Sequence, residues 1–280
     1  MSTYQSVQSA ANDGDSLVIT KPTSLAVGDL MLAGIYSSSG TGGAGTVSIN
    51  TPSGWTQVAL QGISGSTDMV ACFSKVADSA DVAASNFTFT DTNGIATNFM
   101  IGHLLRITNY GIVDASNTAE TTSGSSEVIS TITPDLANCL FVIFAGASDG
   151  SASPTVSTYA LTTDNPTWTE RAETGHTAGS GRRGTLAVAT ATRSQTTATG
   201  DITVTYGATY ARLGAIVVAL APRIDGSVTP TTQVYANAFT PVFPVTAVAT
   251  MDSPTTDVSN PAIWSNQPKN GSTWTPQNKP

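Results

Sequence analysis

Charge is scarce in this sequence. Only 11% of its 280 residues are Asp, Glu, Lys or Arg, against roughly 25% in an average soluble domain. Glu and Lys each occur four times. The residues that usually build solvent-facing helices are therefore missing, and solubility rests on Ser, Thr, Asn and Gln. Positive charge is the scarcer sign, with 11 Lys+Arg against 19 Asp+Glu and a net charge of −8. That balance argues against a surface that neutralises nucleic-acid phosphates and against a polybasic membrane patch. There are two cysteines, Cys72 and Cys139, each among apolar neighbours. They read as buried thiols, since a disulfide framework needs more. No apolar run approaches the ~20 residues of a membrane-spanning helix, so no membrane insertion is expected. The first residues lack the basic start and apolar run of a secretory signal, and synthesis in a cytoplasm is the expectation.

What is present is Thr, Val, Ser and Gly in short apolar runs, the composition of strands and turns. The runs cover 17–20, 30–36, 55–60, 69–76, 87–90, 99–107, 128–132, 140–147, 168–172, 186–192, 202–206 and 213–221. Gly, Pro, Asn or Asp usually separates them. A dozen strands at this spacing predict an all-β chain, a sandwich or jelly roll. The two halves also match in order. Ser16-Leu-Val-Ile-Thr pairs with Glu127-Val-Ile-Ser-Thr, Leu30-Met-Leu-Ala-Gly34 with Leu140-Phe-Val-Ile-Phe-Ala-Gly146, and Pro52-Ser-Gly-Trp-Thr56 with Asn165-Pro-Thr-Trp-Thr169. Val70–Val76 pairs with Leu186–Thr192, Phe87–Thr90 with Ile202–Thr205, and Ile101–Ile107 with Leu213–Ala219. The reading is a duplicated β-sandwich or jelly-roll body, with repeats at 1–114 and 115–222 joined in the polar stretch 114–126. Two separate sandwiches and one shared core both remain open. Trp55 and Trp168 stand at equivalent turn-to-strand junctions. Each reads as the plug of a core end, with a sugar-stacking platform as the alternative.

The segment 223–280 differs. It carries eight of the chain's 14 prolines, which remove backbone donors and favour extended geometry. It also carries Tyr235, Phe239, Phe243, Trp264 and Trp274. A proline-interrupted chain cannot fold back as a regular sheet to bury these rings, so a neighbouring surface is expected to cover them. A ten-residue repeat ends the sequence, Trp264-Ser-Asn-Gln-Pro-Lys269 and Trp274-Thr-Pro-Gln-Asn-Lys279. Each unit offers an aromatic anchor, amides and a cation, the composition of a docking peptide. The candidate docking residues are Tyr235, Phe239, Phe243, Trp264, Gln267, Lys269, Trp274, Gln277 and Lys279.

Catalytic constellations are sparse. The two histidines, His103 in a strand-like run and His176 in a Gly-rich loop, have no nucleophile elbow or metal spacing beside them. His103 is expected either in solvent or satisfied in the core, and His176 on a mobile surface loop. Asp78 with Asp81, and Glu170 with Glu173, are the carboxylate pairs a glycosidase would need; strand alternation sends both pairs apart. Asn12-Asp-Gly-Asp15 reads as a turn rather than a calcium loop, which would need a downstream Glu. Arg182-Arg183 reads as a solvated hairpin tip. No catalytic residue, metal site or cofactor is assigned.

Ile19-Thr-Lys-Pro22, Gly28-Asp-Leu-Met-Leu-Ala33, Pro52-Ser-Gly-Trp-Thr56, Phe73-Ser-Lys-Val-Ala77, Phe87-Thr-Phe-Thr90 and His103-Leu-Leu-Arg106 together resemble a β-rich module of tailed-bacteriophage tail and fibre-type proteins. The Trp-x-x-Gln-x-Lys units resemble the endings of such proteins. The resemblance implies a virion structural protein of the tail, its fibres or the head decoration, made in the host cytoplasm. It implies a non-enzymatic homo-oligomer, a trimer or ring, that docks to other virion proteins through 223–280. A glycan-binding receptor module is the alternative, and a polysaccharide depolymerase a third reading.

Overall fold

The computed structural model describes residues 1–38, 48–64, 66–92, 99–149, 155–163 and 166–223. Fifteen strands and one short helix occur among them. They are β1 (Thr3–Asp13), β2 (Ser16–Thr20), β3 (Leu30–Ser38), β4 (Thr56–Gly62), β5 (Asp68–Val76), α1 (Ser79–Ala83), β6 (Asn86–Thr90), β7 (Phe99–Thr108) and β8 (Tyr110–Thr121). There follow β9 (Gly124–Ile129), β10 (Cys139–Asp149), β11 (Val156–Leu161), β12 (Thr169–Thr177), β13 (Arg183–Arg193), β14 (Ile202–Tyr210) and β15 (Arg212–Pro222). The chain is all-β. It divides into a unit Met1–Asp225 and a second unit Gly226–Pro280, the latter wholly outside the described residues.

Eleven of the twelve apolar runs became strands over most of their length; of 128–132 only Val128 and Ile129 lie in a strand, at the end of β9. The three strands without such a run, β1, β8 and β11, are all sheet edges. Edge strands are covered on fewer sides, so half-buried Ser, Thr and Ala suffice there.

The duplication appears in the topology. One five-stranded sheet runs β1-β7-β3-β5-β4 and the other β8-β15-β10-β13-β12. Strand for strand these are the same order, antiparallel throughout. The outer pair β2-β6 has its counterpart in β9-β14, to which the second half adds β11. The stretch 114–126 is not a linker but lies in β8 and β9. The repeats meet instead at Asn109, whose φ of 55° turns β7 into β8, a conformation Asn tolerates.

The two five-stranded sheets face each other, and both halves contribute to one central core. Leu32, Tyr36, Val70 and Leu105 of the first meet Val142, Phe144, Val188 and Val218 of the second. The opposite faces supply two outer cores. Ile35, Ala71 and Phe73 pack with Leu17, Ile19 and Phe89 of the β2-β6 pair. Phe141, Ile143 and Val217 pack with Ile129, Ile202 and Val204 of the three-stranded sheet. The inner strands are therefore buried on both faces, which is why they read as unbroken apolar runs rather than alternating ones.

The pairings Leu30 to Ile107 and Leu140 to Leu220 fix the register between repeats. They make Ile107 the counterpart of Leu220, one residue away from the alignment that matches Gly102 to Gly214. A Cβ on Gly102 would meet Leu17, Ile19 and Ile35 in an outer core, and one on Gly214 would approach Ile63 and Val70 in the central core. The two glycines thus sit on opposite faces, as a one-residue slip requires.

In the same register Gly34 corresponds to Phe144, and Tyr36 to Gly146. Across the central core Gly34 receives the Phe144 ring, and Gly146 receives the Tyr36 ring. Each aromatic fills the space its counterpart leaves. Gly34→Ala and Gly146→Ala are each expected to destabilise the protein by about 1–3 kcal/mol through overpacking. Urea unfolding of the two variants checks this, and an unchanged midpoint in both would contradict the packing.

Candidate functional site

The nine candidate docking residues, Tyr235 to Lys279, lie outside the described residues. What the described residues contain is a set of ionisable and aromatic side chains, most of them held by internal partners.

Asp68 is the most heavily bonded of them. It begins β5, is 1% exposed, and lies where the two inner sheets meet. Its carboxylate accepts hydrogen bonds from Tyr36 Oη at 3.1 Å, Ser38 Oγ at 2.8 Å and Ser148 Oγ at 2.6 Å. Arg182 reaches it at 3.3 Å and Arg212 at 3.6 Å. Three hydroxyls and two guanidiniums from both repeats therefore converge on one buried charge. Burial, with the Asp68 charge second, holds the Tyr36 phenol far above its ordinary range. Arg182 is thus not a solvated hairpin tip: the β12–β13 turn folds it inward, because a buried carboxylate needs a cation.

The histidines have structural roles. His103 is fully buried; Ser9 Oγ meets its Nδ1 at 2.8 Å and the Leu186 carbonyl oxygen lies 2.7 Å from its Nε2. Burial lowers its pKa to about 4, so it is neutral at physiological pH. His176 pairs with Asp13 at 2.7 Å and packs on Phe99. That contact, with the Gly179 amide, holds the Asp13 carboxyl below its usual range. The Asn12–Asp15 segment is the β1–β2 turn, tied to the β12–β13 loop through Asp13.

The carboxylate pairs differ from the strand-alternation expectation. Asp78 and Asp81 form the capping box of α1, with the Asp78 side chain accepting from the Asp81 amide and the Asp81 side chain from the Asp78 amide. Lys75 bonds Asp81 at 2.6 Å. Glu170 and Glu173 do not diverge, because a β-bulge between Glu170 and Ala172 re-aims the strand. Both carboxylates act on Tyr159, whose phenol is pushed up first by burial and then by these charges. The Glu173 carboxylate accepts from the Val156 amide at 2.8 Å and from Thr185 Oγ1. Burial is the main cause of its raised pKa.

Glu127 on β9 carries no signal in the sequence that marks it as buried. It is 1% exposed, faces the core shared with β14, and has the Tyr206 hydroxyl beside its carboxyl. Burial, then the Glu120 charge, raises its pKa to about 9. Cys72 and Cys139 are free and buried, as expected.

Two equivalent surface depressions follow the duplication. One, about 790 Å³, lies beside β4, β5 and β8 and is lined by Leu30, Val58, Val76, Tyr110 and Ile112. Its counterpart, about 370 Å³, is lined by Leu140, Arg171 and Thr192. There Arg171 takes the place of Val58 and stacks over the Tyr4 ring at 4.3 Å.

The aromatic junctions have diverged more. Trp55 is 9% exposed and meets Phe87 and Phe89 edge-on at 5.8 and 5.4 Å, a plugged core end. Trp168 is only half-buried. It packs on Tyr159 and opens on a cleft of about 400 Å³.

No family model, no curated protein and no solved structure matches the chain.

The functional reading therefore rests on these residues and on the sequence. No helix among the described residues is long and apolar enough to cross a membrane, and no group of three or more His, Cys, Asp or Glu among them could hold a metal ion. The Asp68 centre, Glu127 and the convergence of Glu170 on Tyr159 went unseen in the sequence. A polar residue at the head of an apolar run, as Asp68 is before Met69-Val-Ala-Cys-Phe73, is the one signal that could have pointed to the first of them.

Proposed function

We propose that this protein is a non-enzymatic structural component of a tailed-phage virion, a tail, fibre-type or head-decoration protein that oligomerises through residues 223–280. The observation that carries this reading is a contrast within the chain. Residues up to 223 bury their own apolar faces in three cores and assign most of their buried ionisable groups to internal partners. The sequence after them is rich in proline and in aromatic residues, and ends in two Trp-x-x-Gln-x-Lys units. The Arg223 amide bonds the Asn109 carbonyl at 2.8 Å, so β15 is anchored up to the point where that sequence begins. Linked weak contacts then act at high effective concentration in a trimer or ring.

Deletion of 263–280 is expected to leave the β body folded and to abolish incorporation into particles. Trp264→Ala and Trp274→Ala are each expected to weaken docking by about 2–4 kcal/mol. Circular dichroism and particle assembly with the truncated chain check the first point. Normal incorporation of the truncated protein would reject the reading.

A further inference from the structure

We propose that the cleft between β11 and the start of β12 is a subsite for a neutral saccharide. The inference is independent of the assembly reading above and concerns residues 155–163 and 166–170 only.

The cleft arises where the two repeats differ. In the first repeat the end of the outer core is closed by Trp55 against Phe87 and Phe89 of β6. The matching positions on β14 are the smaller Ile202 and Val204, and Trp168 packs only partly buried against the core they belong to. The second repeat adds β11, and its Tyr159 lies opposite Val204. Tyr159 and Trp168 then pack on each other with centroids 6.0 Å apart and planes 35° apart. They line an opening of about 400 Å³ with Ser157, Thr158, Thr167 and Glu170, inside the ~300–1,000 Å³ range of small-ligand sites.

The chemistry of this lining selects the ligand. A pyranose ring offers a C–H face to an aromatic platform and hydroxyls around its rim. Tyr159 and Trp168 supply the platform. The exposed Glu170 carboxylate accepts from hydroxyl donors, and three Ser and Thr hydroxyls donate or accept. Trp168 Nε1 is buried and makes no hydrogen bond among the described residues, while the Tyr159 hydroxyl is held by the Glu170 carboxylate. Such an unpaired donor costs about 1–3 kcal/mol, and a ligand hydroxyl or its accompanying water entering the cleft would satisfy it. The described lining carries no Lys or Arg and includes the Glu170 carboxylate, so an acidic sugar is disfavoured. A quaternary ammonium needs rings on several sides of it, whereas these two rings pack on each other as one platform.

The test uses the full chain and ligand-observed saturation-transfer NMR. The probes are maltotriose, chitotriose and mannotriose, with sialyllactose and choline chloride as contrasts. Saturable binding of at least one neutral trisaccharide is expected, weakened at least about tenfold by Trp168→Ala and by Glu170→Gln. Glu170 is exposed, so its variant folds even if Trp168→Ala does not. Absence of saturable binding by all three neutral probes would overturn the proposal. So would tighter binding of sialyllactose or choline, or neutral-sugar binding that Glu170→Gln leaves unchanged.

Discussion

Asp68→Ala is expected to destabilise the protein by about 3–5 kcal/mol, the usual cost of removing one partner from a buried charge cluster. The carboxylate is buried, and its five partners come from strands of both repeats and the β12–β13 turn. Arg182 and Arg212 keep side-chain exposures of 17% and 30%, so both can turn toward water once the carboxylate is gone. The hydroxyls of Tyr36, Ser38 and Ser148 have no such escape, since all three residues are buried. Most of the loss therefore comes from stranded hydroxyls rather than from the ion pairs. Two comparisons separate these parts. Asp68→Asn keeps one acceptor oxygen for the hydroxyls and offers an amide to the others, so it should cost less, about 1–3 kcal/mol. Arg212→Ala should cost under about 1 kcal/mol, the range of partly exposed pairs. Urea denaturation with an unchanged m-value measures all three. A loss below about 1 kcal/mol for Asp68→Ala would mean that this carboxylate does not organise the interface.

Glu127→Gln is expected to stabilise the protein, increasingly so as pH rises. The Glu127 carboxyl has a folded pKa of about 9 against an ordinary value of 4.5. Between those values the folded chain holds a proton that the unfolded chain has released. Stability is therefore greatest below about pH 4.5 and falls as pH rises toward 9, by about 1.4 kcal/mol per pH unit. At pH 7, about 2.5 pH units above 4.5, glutamine should recover about 3–4 kcal/mol, less whatever its own buried amide costs. His103 acts in the opposite direction. Its folded pKa of about 4 lies below the ordinary 6.5, so its contribution is present above 6.5 and lost as pH falls toward 4. The wild-type optimum should fall between about pH 4.5 and 6.5, and Glu127→Gln should flatten the alkaline side alone. Thermal unfolding from pH 4 to 9 reads both slopes. A variant with the same alkaline slope as wild type would show that Glu127 is ionised in the fold.

The all-β class and the duplication were legible because inner strands covered on both faces leave long apolar runs, such as Leu30–Tyr36 and Leu213–Ala221. β1, β8 and β11 were not, because an edge strand half-covered by its sheet can be built from Ser, Thr and Ala. The last-strand register was misread because Gly102 and Gly214 match as letters while facing different cores. Glu127 sits in a pattern of alternating residues, Ser-Glu-Val-Ile, where its carboxylate suggests the solvent side. Val128, next to it, is the residue that faces out, at 51% exposure. The Asp68 centre needs Tyr36, Ser38, Ser148, Arg182 and Arg212 brought together by two sheets, which no local spacing encodes.

The reciprocal fit of Gly34 with Phe144 and Tyr36 with Gly146 gives the halves a directional lock. Two copies of the first half, mated face to face, would oppose glycine to glycine and tyrosine to tyrosine, a hole beside a collision. Two copies of the second would do the same with Phe144 and Gly146. Each half thus accepts its sibling and rejects itself, so the doubled chain closes internally and its inner sheets are unsuited to self-polymerisation.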